Sequence, residues 1–441
     1  MIIMSVSHLS LLATPTLVIS YIVAGIFAVL LVIKPRKRKT WWRHVIIAAI
    51  LGSAIGGTVI WYVGDVQNAF DVPPTWVDRI WTGVLVAGIC VGVVNLIGTT
   101  WIRRVIAAFG IVAIALASGL AINNDVGEYL TVGQLLGTDT TASLVLPRPA
   151  HTGVTGVDSD LYATWKAPAI MAKRGRVGSV TIPGTLSHFS ARKALVYLPP
   201  AALVANAPAL PVVILLSGQP ASPSSVMTSG HVPEIMNAMA KKNHGLAPIV
   251  VVPDQLGASS NNPMCVDGPL GNSATYITRD VPDWILGHLH VQKGAKAWAI
   301  GGFSQGATCS IQFAAAHPTL FGSFIDVSGQ KYPTLGSDAQ AIQEGFGGST
   351  AAFDAAKPEA IMKANAPYED TVAFFAAGQN DAVYSRNTDV MTALASQAGM
   401  HVTRYVSPGS AHDWTTATNG FSHGLGFLYP RLGLSKSVVS E

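Results

Sequence analysis

The chain has 441 residues, 49% of them hydrophobic and only 12% charged, with a formal charge of +4. Soluble globular chains carry about 25% charged residues, so this composition excludes a disordered protein and points to membrane-embedded sequence. Residues 1–122 hold nine Lys or Arg against three Asp, a net of +6, while the remainder holds 19 basic and 21 acidic residues, a net of −2. A nucleic-acid binder needs its basic surface on the globular part, so no nucleic-acid partner is expected.

In chain order, four apolar runs come first, at 10–33, 42–63, 80–100 and 105–122. About 20 apolar residues span a bilayer as a helix, and hydrocarbon offers the backbone no other partner. Residues 1–122 are therefore expected to form a membrane domain of four helices. The first connection, KPRKRKTWWRH, carries six cations, the second carries three acids and one arginine, and the third, near Thr99–Arg104, is basic again. The positive-inside rule then puts the first and third loops in the cytoplasm and everything after about residue 123 outside. Trp41, Trp42, Trp61, Trp76, Trp81 and Trp101 fall near the expected helix ends, as an interfacial belt would. The first run lacks a cationic leader and a cleavage signature, so it reads as a retained span. No ionisable residue lies well inside a span, which favours an anchor over a transporter. Asn95 is the main polar side chain there and reads as a helix–helix contact.

Residues 123–176, rich in Gly, Thr, Asp and Pro and including the turn-prone PRPAHTG, read as a linker region. From 177 to 441 the pattern changes. Short β-rich runs occur at 178–183, 193–198, 212–216, 249–252, 297–300, 323–327, 372–376 and 402–406. Helical stretches lie between most of them, at 226–242, 274–288, 305–317 and 384–398. Alternation of this kind implies an α/β domain with a mostly parallel sheet and helices on both faces. The first two strands lack an intervening helix and are expected to form an antiparallel edge pair.

The informative segment is KAWAIGGFSQGATCSIQF, in which a strand leads through Gly302-Phe303-Ser304-Gln305-Gly306 into a helix. This is G-x-S-x-G in its strand–turn–helix context. A serine presented on a sharp, strained turn needs glycines two positions away, and the following helix aims free N–H groups at a developing oxyanion. A serine hydroxyl also needs a base, and the base an orienting carboxylate. In this architecture they follow in the order Ser, acid, His at strand ends. Asp381, in GQND after the strand TVAFFAAG, and His412, in SPGSAHDW after HVTRYV, meet that order. The N–H of Gln305 is one expected oxyanion donor. The second comes from the LLSGQPAS loop, at Gly218 or Gln219, with Gln219 preferred.

Other titratable residues read as structural. Asp326 lies within a strand, Asp413 would hold its loop, His317 suits a helix C-terminus, and His423 falls in the last helix. His288 and His290 lack a third ligand, so no metal site is expected. No phosphate-cradling loop or dinucleotide fingerprint occurs, and no cofactor is expected.

RKALVYLPPA, VVILLSGQPAS, CVDGPLGNSATYITRDVPDWI, GGFSQGATCS and the terminal HDW, taken together, resemble actinobacterial esterases of the esterase D group. The α/β-hydrolase relatives of this group include secreted mycolyltransferases. The resemblance spans about 177–430, and four membrane helices ahead of such a domain resemble an actinobacterial arrangement. It implies an α/β-hydrolase fold and an acyl-serine formed on Ser304, with His412 as base and Asp381 as its orienter. An extracytoplasmic domain permits a disulfide, and the resemblance implies that Cys265 and Cys309 pair. Cys90, in a span, reads as a small apolar residue.

The expected protein is thus a membrane-anchored, outward-facing serine esterase or acyltransferase. Its expected partners are membrane lipids and acyl-ester substrates of the cell envelope, lipid or glycolipid included. The alternative from another class is a non-catalytic envelope scaffold that keeps the hydrolase fold.

Overall fold

The computed structural model of the chain describes residues 7, 9–33, 40–67, 73–136, 141–146 and 160–436. It divides into two compact units, Met1–Asp139 and Thr140–Glu441. The basic stretch 34–39, part of the second connection (68–72) and the PRPAHTG segment lie outside the described residues.

In the first unit, α1 (Thr14–Val32), α2 (Trp41–Trp61), α3 (Trp76–Leu96) and α4 (Trp101–Val126) form. All four are long and apolar enough to cross a membrane, α2 with its π-helical extension to Val66. The fourth apolar run continues further than its hydropathy suggests: α4 has 26 residues and ends at Gly127, whose φ of +77° closes it. Small residues allow α2 and α3 to meet backbone to backbone. A β-carbon on Gly52 would lie 2.6 Å from the Ala87 Cα, and one on Gly56 2.7 Å from the Thr82 carbonyl oxygen. Such close approach brings backbone atoms of the two helices into van der Waals contact along their length.

Asn95 is fully buried and donates to the carbonyl oxygens of Leu31 (3.2 Å) on α1 and Val91 (2.8 Å). Its Oδ1 accepts from Arg103 Nε at 2.7 Å, and Arg103 also donates to the Leu31 and Ile33 carbonyl oxygens. The guanidinium lies over the Trp41 ring, 4.6 Å from its centroid. Trp41, the first residue of α2, is buried, and its Nε1 donates to the Val32 carbonyl oxygen. Trp42, Trp61, Trp76 and Trp101 are exposed.

The second unit is built on one eight-stranded sheet. Its strands are β1 (Arg176–Val180), β2 (Ala194–Leu198), β3 (Val212–Leu216), β4 (Ile249–Val252), β7 (Trp298–Phe303), β8 (Ser323–Val327), β9 (Val372–Gly378) and β10 (His401–Ser407). A separate small hairpin joins β5 (Asp267–Gly268) to β6 (Gly271–Asn272). The order is β1-β2-β4-β3-β7-β8-β9-β10. β2 runs antiparallel to both neighbours, and every pair from β4 to β10 is parallel. β2, β3, β4, β7 and β8 are buried at every position, so both faces are covered, as continuous Val/Ile/Leu runs require. Each such side chain contributes roughly 1.5–3 kcal/mol by leaving water.

The helices used below are α5 (Pro223–Thr228), α6 (Val232–Lys242), α7 (Val281–His288), α8 (Gln305–Ala316), α9 (Ala382–Gln397) and α10 (Trp414–Leu428). The single helix expected over 226–242 is two. Pro233 has no N–H and would clash with the carbonyl four residues back. His231 accordingly turns to φ +50° and separates α5 from α6. The stretch expected as one helix over 274–288 contains a π-helical turn, Tyr276–Asp280, ahead of α7.

Candidate active site

In a parallel sheet the loops at the carboxyl ends of adjacent strands converge. Four such ends matter here: Ser217–Gln219 follow β3, Ser304 follows β7, Asp381 follows β9 and His412 follows β10. At the end of β7 the chain turns sharply into α8. Ser304 takes φ +57° and ψ −120°, a conformation nearly closed to L-residues. Its N–H donates to the Val327 carbonyl oxygen at 2.9 Å, which ties the turn to β8. The flanking glycines are required sterically: a β-carbon on Gly302 would lie 2.3 Å from the Gly306 carbonyl carbon, and one on Gly306 2.5 Å from the carbonyl oxygens of Leu216 and Ser217.

Ser304 Oγ and His412 Nε2 are 2.9 Å apart, and His412 Nδ1 lies 3.1 Å from Asp381 Oδ2. With Nδ1–H donating a hydrogen bond to the carboxylate, Nε2 is left to accept from the serine hydroxyl. Asp381 is held in turn, since its Oδ1 accepts from the Tyr384 N–H at 3.0 Å and caps α9. The two loops that carry acid and base are joined by the Gln379 and Asn380 N–H groups, which donate to the Ser407 and Ser410 carbonyl oxygens. The imidazole is packed between Tyr384 (ring centroids 3.9 Å apart) and Phe303 (4.8 Å). All three side chains are nearly buried, so their mutual interactions are little screened.

Gln305 occupies the first position of α8, where a backbone N–H has no partner within the helix. Gly218 backs directly on the serine, and a β-carbon there would lie 3.3 Å from Ser304 Cβ. The Gln219 side chain turns away and donates to the Ser259 carbonyl oxygen. Cys265 and Cys309 are joined by a disulfide between the loop after β4 and α8. Cys90 is half-buried in α3.

The remaining candidates lie elsewhere. Asp326 is fully buried in β8; burial raises its carboxyl to about 7, and its one bonded oxygen, Oδ1, accepts from the Gly329 N–H. Asp413 caps α10 through the Thr416 N–H. His317 follows the last residue of α8, and burial lowers its pKa. His423 stacks on Tyr405. His288 and His290 each engage a backbone carbonyl through Nδ1. Among the described residues there is no group of three or more His, Cys, Asp or Glu suited to a metal.

Sequence reasoning missed Gln255 and Asn262, whose side chains meet that of Gln305. Their only advance signal is polarity: DQLGASSNNP begins one residue after a fully buried strand, at the carboxyl edge of the sheet.

Residues 189–425, more than half of the chain, match the model of a family described as "Putative esterase". An uncharacterized protein of Corynebacterium glutamicum is 32% identical over 388 residues, 85% of this chain and 86% of its own length. That share is larger than everything after residue 188, so the likeness extends into the N-terminal apolar helices. An S-formylglutathione hydrolase from Agrobacterium tumefaciens is structurally similar, with a TM-score of 0.50 at 18% identity, covering 60% of this chain and 100% of its own. A ferulic acid esterase gives a TM-score of 0.50 at 18% identity, covering 58% and 98%. At such identity the two structures establish the fold, an α/β-hydrolase.

Proposed function

The chain belongs to the putative esterase family, and on that premise we propose that it is a serine esterase or acyltransferase with Ser304, His412 and Asp381 as its catalytic triad. The observation that carries this reading is the continuous path from Ser304 Oγ through the imidazole to the Asp381 carboxylate, at 2.9 and 3.1 Å. As the Oγ attacks an ester carbonyl, His412 Nε2 takes its proton. The Asp381 carboxylate stabilises the imidazolium that forms. The carbonyl oxygen, now negative, is met by the Gln305 N–H and by an N–H of the Gly218–Gln219 segment. Collapse expels the alcohol, which receives the proton from His412. A water or sugar hydroxyl then gives its proton to the same nitrogen and attacks the acyl-serine; the acyl–Oγ bond breaks, His412 returns the proton to Ser304 Oγ, and the acid or the transferred ester is released.

In this reading the chain has a membrane domain (1–122), a linker region (123–176) and an extracytoplasmic catalytic domain (177–441). The four apolar helices anchor it, and the basic first loop faces the cytoplasm. A disulfide beside the site supports an oxidising compartment. The substrate class that fits an enzyme held at the bilayer is an acyl ester of the envelope, lipid or glycolipid.

Labelling by a fluorophosphonate tests the triad: the wild-type protein reacts, and Ser304→Ala does not. Equal labelling of both would leave a scaffold as the better reading. Incubation with an acyl ester, with and without a sugar acceptor, separates hydrolysis from transfer. A reporter fused after residue 436 tests the topology.

A further inference from the structure

Gln255 lies three residues beyond β4 and is fully buried. Its Nε2 donates to the Ser217 carbonyl oxygen at 2.6 Å and to Gln305 Oε1 at 2.9 Å. A carboxamide nitrogen has two hydrogens, and these two acceptors take both. The acceptors belong to the two segments that supply oxyanion donors, since Ser217 precedes Gly218 and Gln305 follows Ser304. β4, β3 and β7 are neighbours in the sheet, so one side chain spans the ends of three adjacent strands.

We propose that Gln255 is a positioning residue of the oxyanion hole, clamping the Ser217–Gly218 peptide to the first residue of α8; this rests on the serine-esterase reading above. The Ser217 carbonyl and the Gly218 N–H are opposite ends of one planar trans peptide. A bond accepted by the Ser217 oxygen therefore sets the direction of the Gly218 N–H. The second bond holds the side chain of the residue whose backbone N–H is the other donor. Gln305 Nε2 in turn donates to Asn262 Oδ1 at 3.2 Å, which extends the clamp into the disulfide-bonded loop.

Gln255 is itself immobilised. Its backbone carbonyl accepts from Ser273 Oγ at 2.8 Å. The preceding Asp254 carboxylate accepts from the Leu256 and Gly257 N–H groups and pairs with Arg192 at 2.8 Å. Donors fixed before reaction need no reorganisation when charge develops, which is where such holes derive their effect. Loosening one peptide lowers the rate without weakening ground-state binding.

The test uses the full chain in detergent with p-nitrophenyl butyrate. Gln255→Met keeps the length and volume of the side chain and removes both donated bonds. We expect kcat to fall roughly 10- to 100-fold, short of the 10²–10³ lost when a donor is deleted outright. KM stays within about 2-fold, because the clamp acts only on the transition state. The rate of fluorophosphonate labelling falls in parallel, since that adduct places an oxygen in the same hole. Gln255→Glu supplies a second measurement. Its carboxylate repels both acceptors while its acid form donates one bond, so its kcat relative to wild type rises as the pH is lowered. A wild-type kcat in Gln255→Met, a KM effect alone, or a pH-independent ratio for Gln255→Glu would overturn the clamp. Should Gln255→Met fail to fold, the Gln255→Glu ratio decides. Ser304→Ala is assayed alongside: if it is active, the esterase reading itself falls, whereas an inactive Ser304→Ala beside a fully active Gln255→Met sinks only the clamp.

Discussion

Gly378, the last residue of β9, lies directly beneath Ala411, and a β-carbon on it would stand 2.4 Å from the Ala411 carbonyl oxygen. The neighbour is backbone and cannot swing aside. The loop bearing His412 and the loop bearing Asp381 can therefore lie as close as they do only because position 378 has no side chain. Gly378→Ala is expected to push the two apart, lowering kcat/KM by about 10²-fold, the cost of misplacing a group by an ångström. Stability should drop by about 1–3 kcal/mol. Ester hydrolysis and thermal unfolding measure the two effects; an unchanged rate would mean the loops tolerate the displacement.

Asp381 has two jobs on two oxygens, Oδ2 to His412 and Oδ1 to the Tyr384 N–H. Asp381→Asn keeps an oxygen for the cap but not the carboxylate. It should lose activity roughly 10⁴-fold with little change in unfolding temperature. Asp381→Ala should lose as much activity and also about 1 kcal/mol of stability, because α9 is left uncapped. Comparing the two variants by hydrolysis and unfolding separates orientation of the base from support of the helix.

Asp326 gives a pH signature. Burial raises its carboxyl to about 7 from the ordinary 3.8. Between those values the folded protein holds a proton that the unfolded chain has released. Stability from this group is therefore full below about pH 4 and is lost as the pH climbs to about 7, with a slope approaching 1.4 kcal/mol per pH unit. Asp326→Asn removes the titration. Its stability minus that of wild type should rise across this window and level off above it. His317, whose pKa burial lowers, acts with the opposite sign but is common to both proteins and cancels. A difference that stays flat with pH would show Asp326 ionised throughout.

The Cys265–Cys309 bond closes a sequence separation of 44 residues. Chain entropy assigns such a loop about 4 kcal/mol. Cys265→Ser with Cys309→Ser should lower stability by about 2–4 kcal/mol, and reductant should do the same to wild type but not to the variant. Non-reduced peptide mapping should find the two cysteines linked. Two free thiols would contradict the bond.

In the first unit, Gly56→Val should disrupt the contact of α2 with Thr82 and Gly83, where the added carbon would meet backbone at 2.7 and 2.9 Å. Overpacking of this kind costs about 1–3 kcal/mol. Unfolding in detergent should shift while kcat toward a soluble ester stays within about 2-fold, as the reacting groups all belong to the second unit. A large loss of kcat would show that the two units are coupled.

Much of this was legible before any fold was known, because it is local. An uninterrupted apolar run declares a helix long and apolar enough to cross a membrane, alternating strand and helix periods declare a parallel sheet, and glycines two residues on either side of Ser304 declare an elbow. The carboxylate and imidazole could be chosen because strand ends follow one another in chain order. Where local steric rules competed with hydrophobic pattern, as at Pro233 and His231, pattern alone ran two helices together. The position of Trp41 at a helix end is likewise a local fact, whereas its burial under Arg103 depends on α4.

The sequence by itself determined that a serine is presented between a buried strand and a helix, with an acid and a histidine after two later strands. It also determined that four apolar segments come first. Only the tertiary structure decided which side chains share a site across 38 or 50 residues of chain, as Gln255 does with Ser217 and Gln305. The physical reason is the order of the sheet. β4 lies beside β3 and β3 beside β7, and no residue pattern along the chain encodes that adjacency. Hydrogen-bond partners contributed by different strand ends exist only once the strands have paired.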